Sequence, residues 1–387
     1  MGKEIALVEL ASHNEVVASY YQILKAAGFT ITVYSNSFIQ RQLYKKLDDV
    51  SWSIQRSGES IKGYITRVKK KMESADLIIF TTIEKNFPYF TRLQFKTPRL
   101  LVIHKMNMLL EPRKSFRFDS SFQQNIKDLL KIARYYFLRE QKRNLRFAQS
   151  FDGLILPSQE VKRYLRSKEW HSRLPKQIVM EFAIHQQLIY DHDSDMPIRI
   201  VIPGIIHEKS RDYEIVIKAI RKLQLQEPVE LILLGKLRGN YGRRILHELE
   251  LLQGKLFTVR SYREFIPQRE FDTVLQQADF LLLPMIRHPK ISIFKEINGH
   301  TCVSGNISDL LRFGTPAIIP GYYPLDPAIQ PLVDVYDCED QLKDLLSKWL
   351  EQDIYSKKRA QIFSQMGQFT AASIARQVKG KLLDYLD

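Results

Sequence analysis

Glu296-Ile-Asn-Gly-His-Thr-Cys-Val-Ser-Gly-Asn-Ile-Ser-Asp-Leu-Leu-Arg-Phe-Gly-Thr-Pro-Ala-Ile-Ile319 is the stretch from which the fold is read. Ser304-Gly305-Asn306 makes a tight backbone turn that opens a short helix, Ile307–Arg312. Gly314 terminates the helix, and Thr315-Pro316 leads into an apolar strand, Ala317–Ile319. A strand without polar alternation must be covered on both faces. A helix feeding such a strand is therefore half of an α/β unit with a parallel sheet.

The same alternation runs outward in both directions. Upstream, strands are expected at Ile5–Glu9, Thr30–Tyr34, Leu77–Thr81, Arg99–His104 and Gly153–Leu156, with helices at Asn14–Ala27, Ile61–Ser74 and Gln159–Ser167. The polar, proline-containing segment Asp191–Pro197 then interrupts the pattern. Beyond it come strand Ile198–Ile202, helix Tyr213–Leu223, strands Val229–Leu234 and Leu256–Val259, helix Gln268–Gln276 and strand Phe280–Leu283. Strand Val333–Tyr336 and helix Gln341–Glu351 follow the quoted stretch. This order predicts an α/β protein of two Rossmann-like, doubly wound domains facing a cleft. The expected boundaries are 1–190, a linker at 191–197, a second domain over 198–355, and C-terminal helices over 356–387 that pack back on the first domain.

The composition agrees. A chain of 387 residues with 44% hydrophobic content is long and apolar enough for two cores, which excludes a disordered or collagen-like protein. No apolar run reaches the length of a membrane span. The first ten residues carry Glu4 and Glu9 among apolar neighbours and read as a strand, not a signal peptide. Cys302 and Cys338 are the only cysteines, which excludes a disulfide framework and fits a reducing cytoplasm. The net charge of +15 is unevenly placed: residues 1–190 hold 32 Lys and Arg against 17 Asp and Glu, whereas residues 191–387 hold 26 of each. One half alone must face something negative.

Chemistry is concentrated where helices begin and strands end. Unpaired N–H groups at a helix start such as Ser304–Asn306 favour an anion, and a diphosphate suits the place. Asp309, in the first turn, can accept two hydrogen bonds from a diol. Gly235, ending a strand in Leu234-Gly235-Lys236, permits close approach of a ligand. An isolated capped helix with an acid in its first turn is ordinary architecture. The long glycine-interrupted loop before it, carrying Glu296, favours function.

At these residues the chain resembles the donor site of GT-B nucleotide-sugar glycosyltransferases, in particular the family-4-like group of bacterial surface-polysaccharide enzymes. There an acid, a glycine-containing loop, a second acid and Gly-x-Pro follow in order. Asp309 stands where the ribose-binding acid is expected, five residues before Gly314. The usual position of the first acid is Thr301, so the common motif is broken. The resemblance then implies that Glu296 contacts the sugar, or assists charge development at its anomeric carbon, from a longer loop. Val201-Ile-Pro-Gly204-Ile-Ile-His-Glu-Lys209-Ser resembles the opening of the donor domain. Lys209 matches its phosphate-binding lysine, while Ile205 replaces an arginine and Ser210 a glycine. Phosphate charge must then be met elsewhere, by Arg211 or Lys236. Phe265–Pro284 is similar to the loop, helix and strand that touch the nucleobase, with Ile266 in contact through its backbone. The implied donor is a nucleotide-diphosphate sugar, as a substrate.

On the first domain, polar sets follow the expected strands: Glu9 with His13 and Asn14, Thr81 to Asn86, and His104 with Lys105 and Asn107. His104 is expected at the cleft, where a histidine can act as a general base, with His13, Glu84 and Asn107 beside the acceptor. Basic residues gather at 62–71 and 126–147, the latter interleaved with Tyr135, Tyr136 and Phe137. That mixture suits an anionic membrane surface and a lipid-linked glycan acceptor. The expected setting is the cytoplasmic face of a cell membrane, with peripheral association. Asp191-His-Asp193 and Asp193-Ser-Asp195 imitate a metal-binding Asp-x-Asp but lie in the linker. No metal or cofactor is expected, since cations and helix N–H groups can neutralise a diphosphate. Two other readings stand beside this one: a nucleic-acid-binding protein using the basic half, and a sugar-nucleotide-binding subunit without activity. The first predicts salt-dependent RNA or DNA binding indifferent to Lys209 and Asp309; on the favoured reading no nucleic acid is bound.

Overall fold

The computed structural model describes residues 2–43, 47, 49–84, 86–116, 122–137, 140–186 and 196–386. Residues 191–195 of the expected linker lie outside these. So do Lys85, Arg139 and the side chains of Lys127, Arg134, Tyr135 and Tyr136.

The first sheet contains β1 (Glu4–Glu9), β2 (Thr30–Ser35), β3 (Ser51–Ile54), β4 (Leu77–Thr82), β5 (Arg99–Val102), β6 (Gly153–Leu156) and β7 (Lys176–Val179), in the order β3-β2-β1-β4-β5-β6-β7. Every neighbouring pair is parallel. Its helices are α1 (Asn14–Ala26), α2 (Ser37–Leu43), α3 (Ile61–Met72), α4 (Phe87–Arg92), α5 (Met106–Leu110), α6 (Phe122–Phe137), α7 (Glu140–Gln149) and α8 (Gln159–Arg166). The second sheet contains β8 (Ile198–Pro203), β9 (Val229–Lys236), β10 (Phe257–Tyr262), β11 (Phe280–Leu282), β14 (Ala317–Pro320) and β15 (Val333–Tyr336), ordered β10-β9-β8-β11-β14-β15 and again parallel throughout. Helices α9 (Tyr213–Arg221), α10 (Gly239–Glu250), α11 (Gln268–Gln276), α12 (Gly305–Phe313) and α13 (Glu339–Glu351) cover it. A short antiparallel hairpin, β12 (Lys290–Ile291) with β13 (Phe294–Lys295), stands apart.

Each sheet is buried on both faces, as continuous apolar strands require. Ile5 and Leu7 of β1 enter one core of the first domain, and Ala6 and Val8 the other. In β8, Ile200 and Ile202 face one core of the second domain and Val201 its opposite. The two strands absent from the sequence reading, β3 and β7, are edge strands. Ser51-Trp-Ser-Ile54 alternates and lies half in water, so no apolar run announces it.

The chain crosses back at its end. Helix α14 (Ile354–Gln365) stays with the second domain, where Arg359 donates to the carbonyls of Ala278 and Asp279. Helix α15 (Ala371–Leu383) inserts Ile374, Ala375, Val378 and Leu382 into the first-domain core beside α1. No helix among the described residues is long and apolar enough to cross a membrane.

Candidate functional site

The carboxyl ends of both sheets meet across one cavity of about 510 Å³. Ser12 to Val16, His104, Lys105, Pro157 and Phe182 line it from the first domain. Gly204, Lys209 to Arg211, and Ser304 to Asn306 with Asp309 line it from the second. In each sheet the cavity lies beside the first strand, at the place where the strand order changes direction, a recurrent ligand position in doubly wound folds.

The second-domain wall is built around Arg211. Its guanidinium donates to the Pro203 carbonyl at 2.5 Å, the Ile205 carbonyl at 2.9 Å and Asn306 Oδ1 at 2.9 Å. All three acceptors are neutral, so the positive charge is held in place without being neutralised. Asn306 Nδ2 donates to Pro203 as well, at 2.8 Å. Ser304 caps α12 by accepting from the Asn306 N–H, which brings the positive end of that helix to the same wall. Lys209 adds a second cation.

Asp309 lies one turn into α12, buried, and 3.7 Å from Arg312. Arg312 also donates to Glu15 of α1 at 2.7 Å and to Asp272 of α11 at 3.1 Å. Gln268 donates to both of those carboxylates, so a single network joins the two domains. Burial raises the Asp309 pKa, and the nearby Glu15 charge adds to the rise.

On the first-domain wall, the His13 and His104 rings stack in parallel with centroids 4.9 Å apart. His104 Nε2 donates to the Thr81 carbonyl at 2.8 Å, because a carbonyl can only accept. The lone pair is thereby left on Nδ1. Burial, then the neighbouring His13, push the His104 pKa down to about 3. Thr82 Oγ1 lies 3.0 Å from His13 Nδ1. Among the described residues, no group of three or more His, Cys, Asp or Glu side chains could hold a metal.

Known structures share this architecture. HepE of Anabaena in complex with UDP matches with a TM-score of 0.62 and 12% identity, over 98% of this chain and all of that one. A glycosyltransferase from Rickettsia africae matches at 0.60 and 13%, over 100% and 99%. The lipopolysaccharide outer core galactosyltransferase WaaB matches at 0.56 and 8%, over 98% and 99%. The fold is GT-B. No family model and no curated protein matches the sequence.

Within this GT-B fold, Gly204, Lys209, Ser304, Gly305, Asn306, Asp309, His13 and His104 all line the cleft. Glu84 lines a smaller cavity that opens from it. Other expected residues lie elsewhere. Glu296 is fully buried away from the cavity wall, its carboxylate accepting from the backbone N–H groups of Asn107 and Met108 at 3.1 and 2.8 Å. It closes the start of α5 in the opposite domain, so contact with a sugar is corrected to a domain-bridging role. Asn107 joins the same contact, donating to the Lys295 carbonyl at 3.0 Å, and does not line the acceptor side. A β-carbon at Gly235 would lie 2.1 Å from the Gly204 carbonyl, so this glycine admits a neighbouring loop, not a ligand. Lys236 points to solvent beside Glu264 at 3.3 Å, and the Ile266 side chain is packed in the core. The general-base role expected of His104 does not fit a ring whose basicity is so depressed.

Sequence reasoning missed the interdomain arm over residues 286–303. Its hairpin is tied to the first domain by Lys290 and Asp128 of α6, a buried pair at 2.9 Å. Further ties are Lys295 N–H to the Ser115 carbonyl at 2.6 Å and Met106 N–H to the Thr301 carbonyl at 2.9 Å. It also missed Glu15 and Arg312. A carboxylate just past the end of β1 was the available signal for Glu15.

Proposed function

We propose that the protein is a glycosyltransferase that moves a sugar from a nucleotide-diphosphate donor to a hydroxyl of a glycan acceptor. The observation that carries this reading is the un-neutralised guanidinium of Arg211, set beside Lys209 and the start of α12 on one wall of the interdomain cavity. Diphosphate is the ligand whose charge and spread match that wall. Asp309 would take the ribose hydroxyls. The neutral His104, with Nδ1 free to accept, would orient an acceptor or sugar hydroxyl while closure of the domains excludes water. HepE is described in complex with UDP-glucose as well as UDP, which supports a nucleotide sugar as donor.

The acceptor is proposed to be lipid-linked, within bacterial surface-polysaccharide assembly. Helix α6 exposes Ile126, Leu129, Leu130 and Phe137, and it sits in the basic half of the chain. Apolar residues flanked by cations suit the inner face of an anionic membrane. Co-sedimentation with anionic but not neutral vesicles tests this placement, and equal binding to both would refute it.

A thermal-shift screen against UDP, GDP, dTDP, CMP and ADP tests the donor site. One nucleotide is expected to raise the melting temperature, with the rise lost in Lys209→Ala and Arg211→Ala. No shift from any of them removes the donor reading. The sequestered Glu296 and the threonine at 301 favour a second reading, a sugar-nucleotide-binding subunit without turnover. Binding without release of product from donor plus acceptor would select it.

A further inference from the structure

A second cavity, of about 290 Å³, opens from the cleft into the first domain. The two share His13, His104, Lys105 and Ile291, so the stacked histidines stand at their junction. The polar residues of the smaller cavity gather there. Thr82 lies 3.0 Å from His13, and Glu84 is close enough to raise the His13 pKa against the lowering effect of burial. The remaining wall is hydrocarbon: Ile83, Phe87, Met108, Leu109 and Phe147. Phe87 and Phe147 stack with centroids 4.5 Å apart. A sugar pushed to that end would lose hydrogen bonds without gaining any from side chains.

The roof comes from the other domain. Ile291 and Ser292, at the turn of the β12–β13 hairpin, close over the cavity. Ser292 holds a φ of +56°, a tight reversal that places the turn there. The residue before Ile291 is Lys290, paired with Asp128 of α6. Helix α6 carries the exposed Ile126, Leu129 and Leu130 on either side of Asp128. An apolar surface thus adjoins the roof of an apolar cavity, whose other end reaches the cleft.

We propose that this cavity receives the hydrocarbon chain of an amphiphilic acceptor, whose hydroxyl-bearing head lies at His13 and His104. The inference rests on the glycosyltransferase reading for the occupant of the cleft and adds the chemistry of the acceptor. It also makes the acceptor site a product of both domains, since the Ile291 roof exists only with the arm docked.

Calorimetric titration with butyl, hexyl and octyl β-glucosides below their micelle concentrations tests it, on the full chain with and without UDP. Affinity is expected to rise about three- to fourfold per added methylene until the cavity is filled. Ile291→Asp in the roof and Phe87→Ser in the wall should each flatten that dependence while leaving the UDP response unchanged. Phe87→Ser keeps the test open if the roof variant misfolds, and the UDP response reports the fold in both. A flat chain-length series in the wild type, or an unaltered one in the folded variants, overturns the proposal. A protein that responds to UDP but not to chain length refutes the cavity assignment alone. Failure to bind UDP counts against the donor reading instead.

Discussion

Gly204 carries a φ of +92°, and a β-carbon there would lie 2.2 Å from Arg211 Nη2. The missing side chain is what lets a guanidinium from residue 211 lie under the end of β8, the job that Ile205 cannot do. Gly204→Ala is therefore expected to strain the backbone by about 1–3 kcal/mol and to displace Arg211. The charge-assisted bonds lost would weaken nucleotide binding by roughly 10–100-fold. Urea unfolding and nucleotide titration on the same variant check both effects; lost stability with unchanged affinity would separate Arg211 from the ligand. At His104 the sign is fixed by its depressed pKa. The ordinary value is 6.5, and folding pushes it to about 3. As pH falls, the unfolded chain takes up the proton first. The stability this residue supplies is whole above about 6.5 and is lost progressively towards 3, at up to about 1.4 kcal/mol per pH unit. The buried Glu181, raised to about 7, contributes with the opposite sign, so the wild-type profile alone is not diagnostic. The stability gap between wild type and His104→Gln is the clean quantity. It is expected to narrow by about 1–2 kcal/mol between pH 7 and pH 5. A gap independent of pH would place the ring in water.

The β12–β13 arm belongs by sequence to the second domain and by contact to both. Lys290 and Asp128 are 2% and 1% exposed at their side chains, so neither charge has bulk water to fall back on. Lys290→Met alone is expected to cost about 3–5 kcal/mol, because it buries Asp128 without its main partner. Asp128→Leu combined with it should recover most of that loss, and a double-mutant cycle by chemical denaturation measures the coupling. Additive losses would show that the pair does not interact. This arm also marks the limit of what the sequence discloses. Strands such as Leu77–Thr82 and Ala317–Pro320 were legible because burial on both faces leaves an unbroken apolar run. The start of α12 was legible because Ser304, Gly305 and Gly314 each leave a local chemical mark at a helix end. Glu296 was visible as a conspicuous acid, yet its partners lie nearly two hundred residues away at Asn107 and Met108. No local pattern carries such a contact, so an acid in a cleft loop could be noticed but not assigned. Arg211 was legible as a charge near Lys209; its three neutral acceptors were not.

At the scale of the molecule, the last helix joins the two domains' stability. The polypeptide leaves the first domain once, builds the second, and returns through α15 to complete the core it left. Ile374, Val378 and Leu382 are each at most 4% exposed there, packed with Val17, Tyr20 and Leu24 of α1. Burying a large apolar side chain contributes about 1.5–3 kcal/mol, so these three supply roughly 5–9 kcal/mol to the first domain. The stability of a whole domain is about 5–15 kcal/mol. A chain stopped at Thr370 is therefore expected to lose the first domain's cooperative transition, or to keep it only at greatly lowered temperature. The cores of the second domain take nothing from α15 and should unfold near their original temperature. Calorimetry of the truncated chain distinguishes the cases. One surviving transition that still protects β8–β15 from hydrogen exchange is the expected result. Loss of both transitions would mean that the domains do not fold independently, and two unchanged transitions would mean that α15 merely rests on the surface. The cleft requires both domains, so the surviving half is also expected to lose the Glu15–Arg312 bridge and the histidine wall, and with them any acceptor binding.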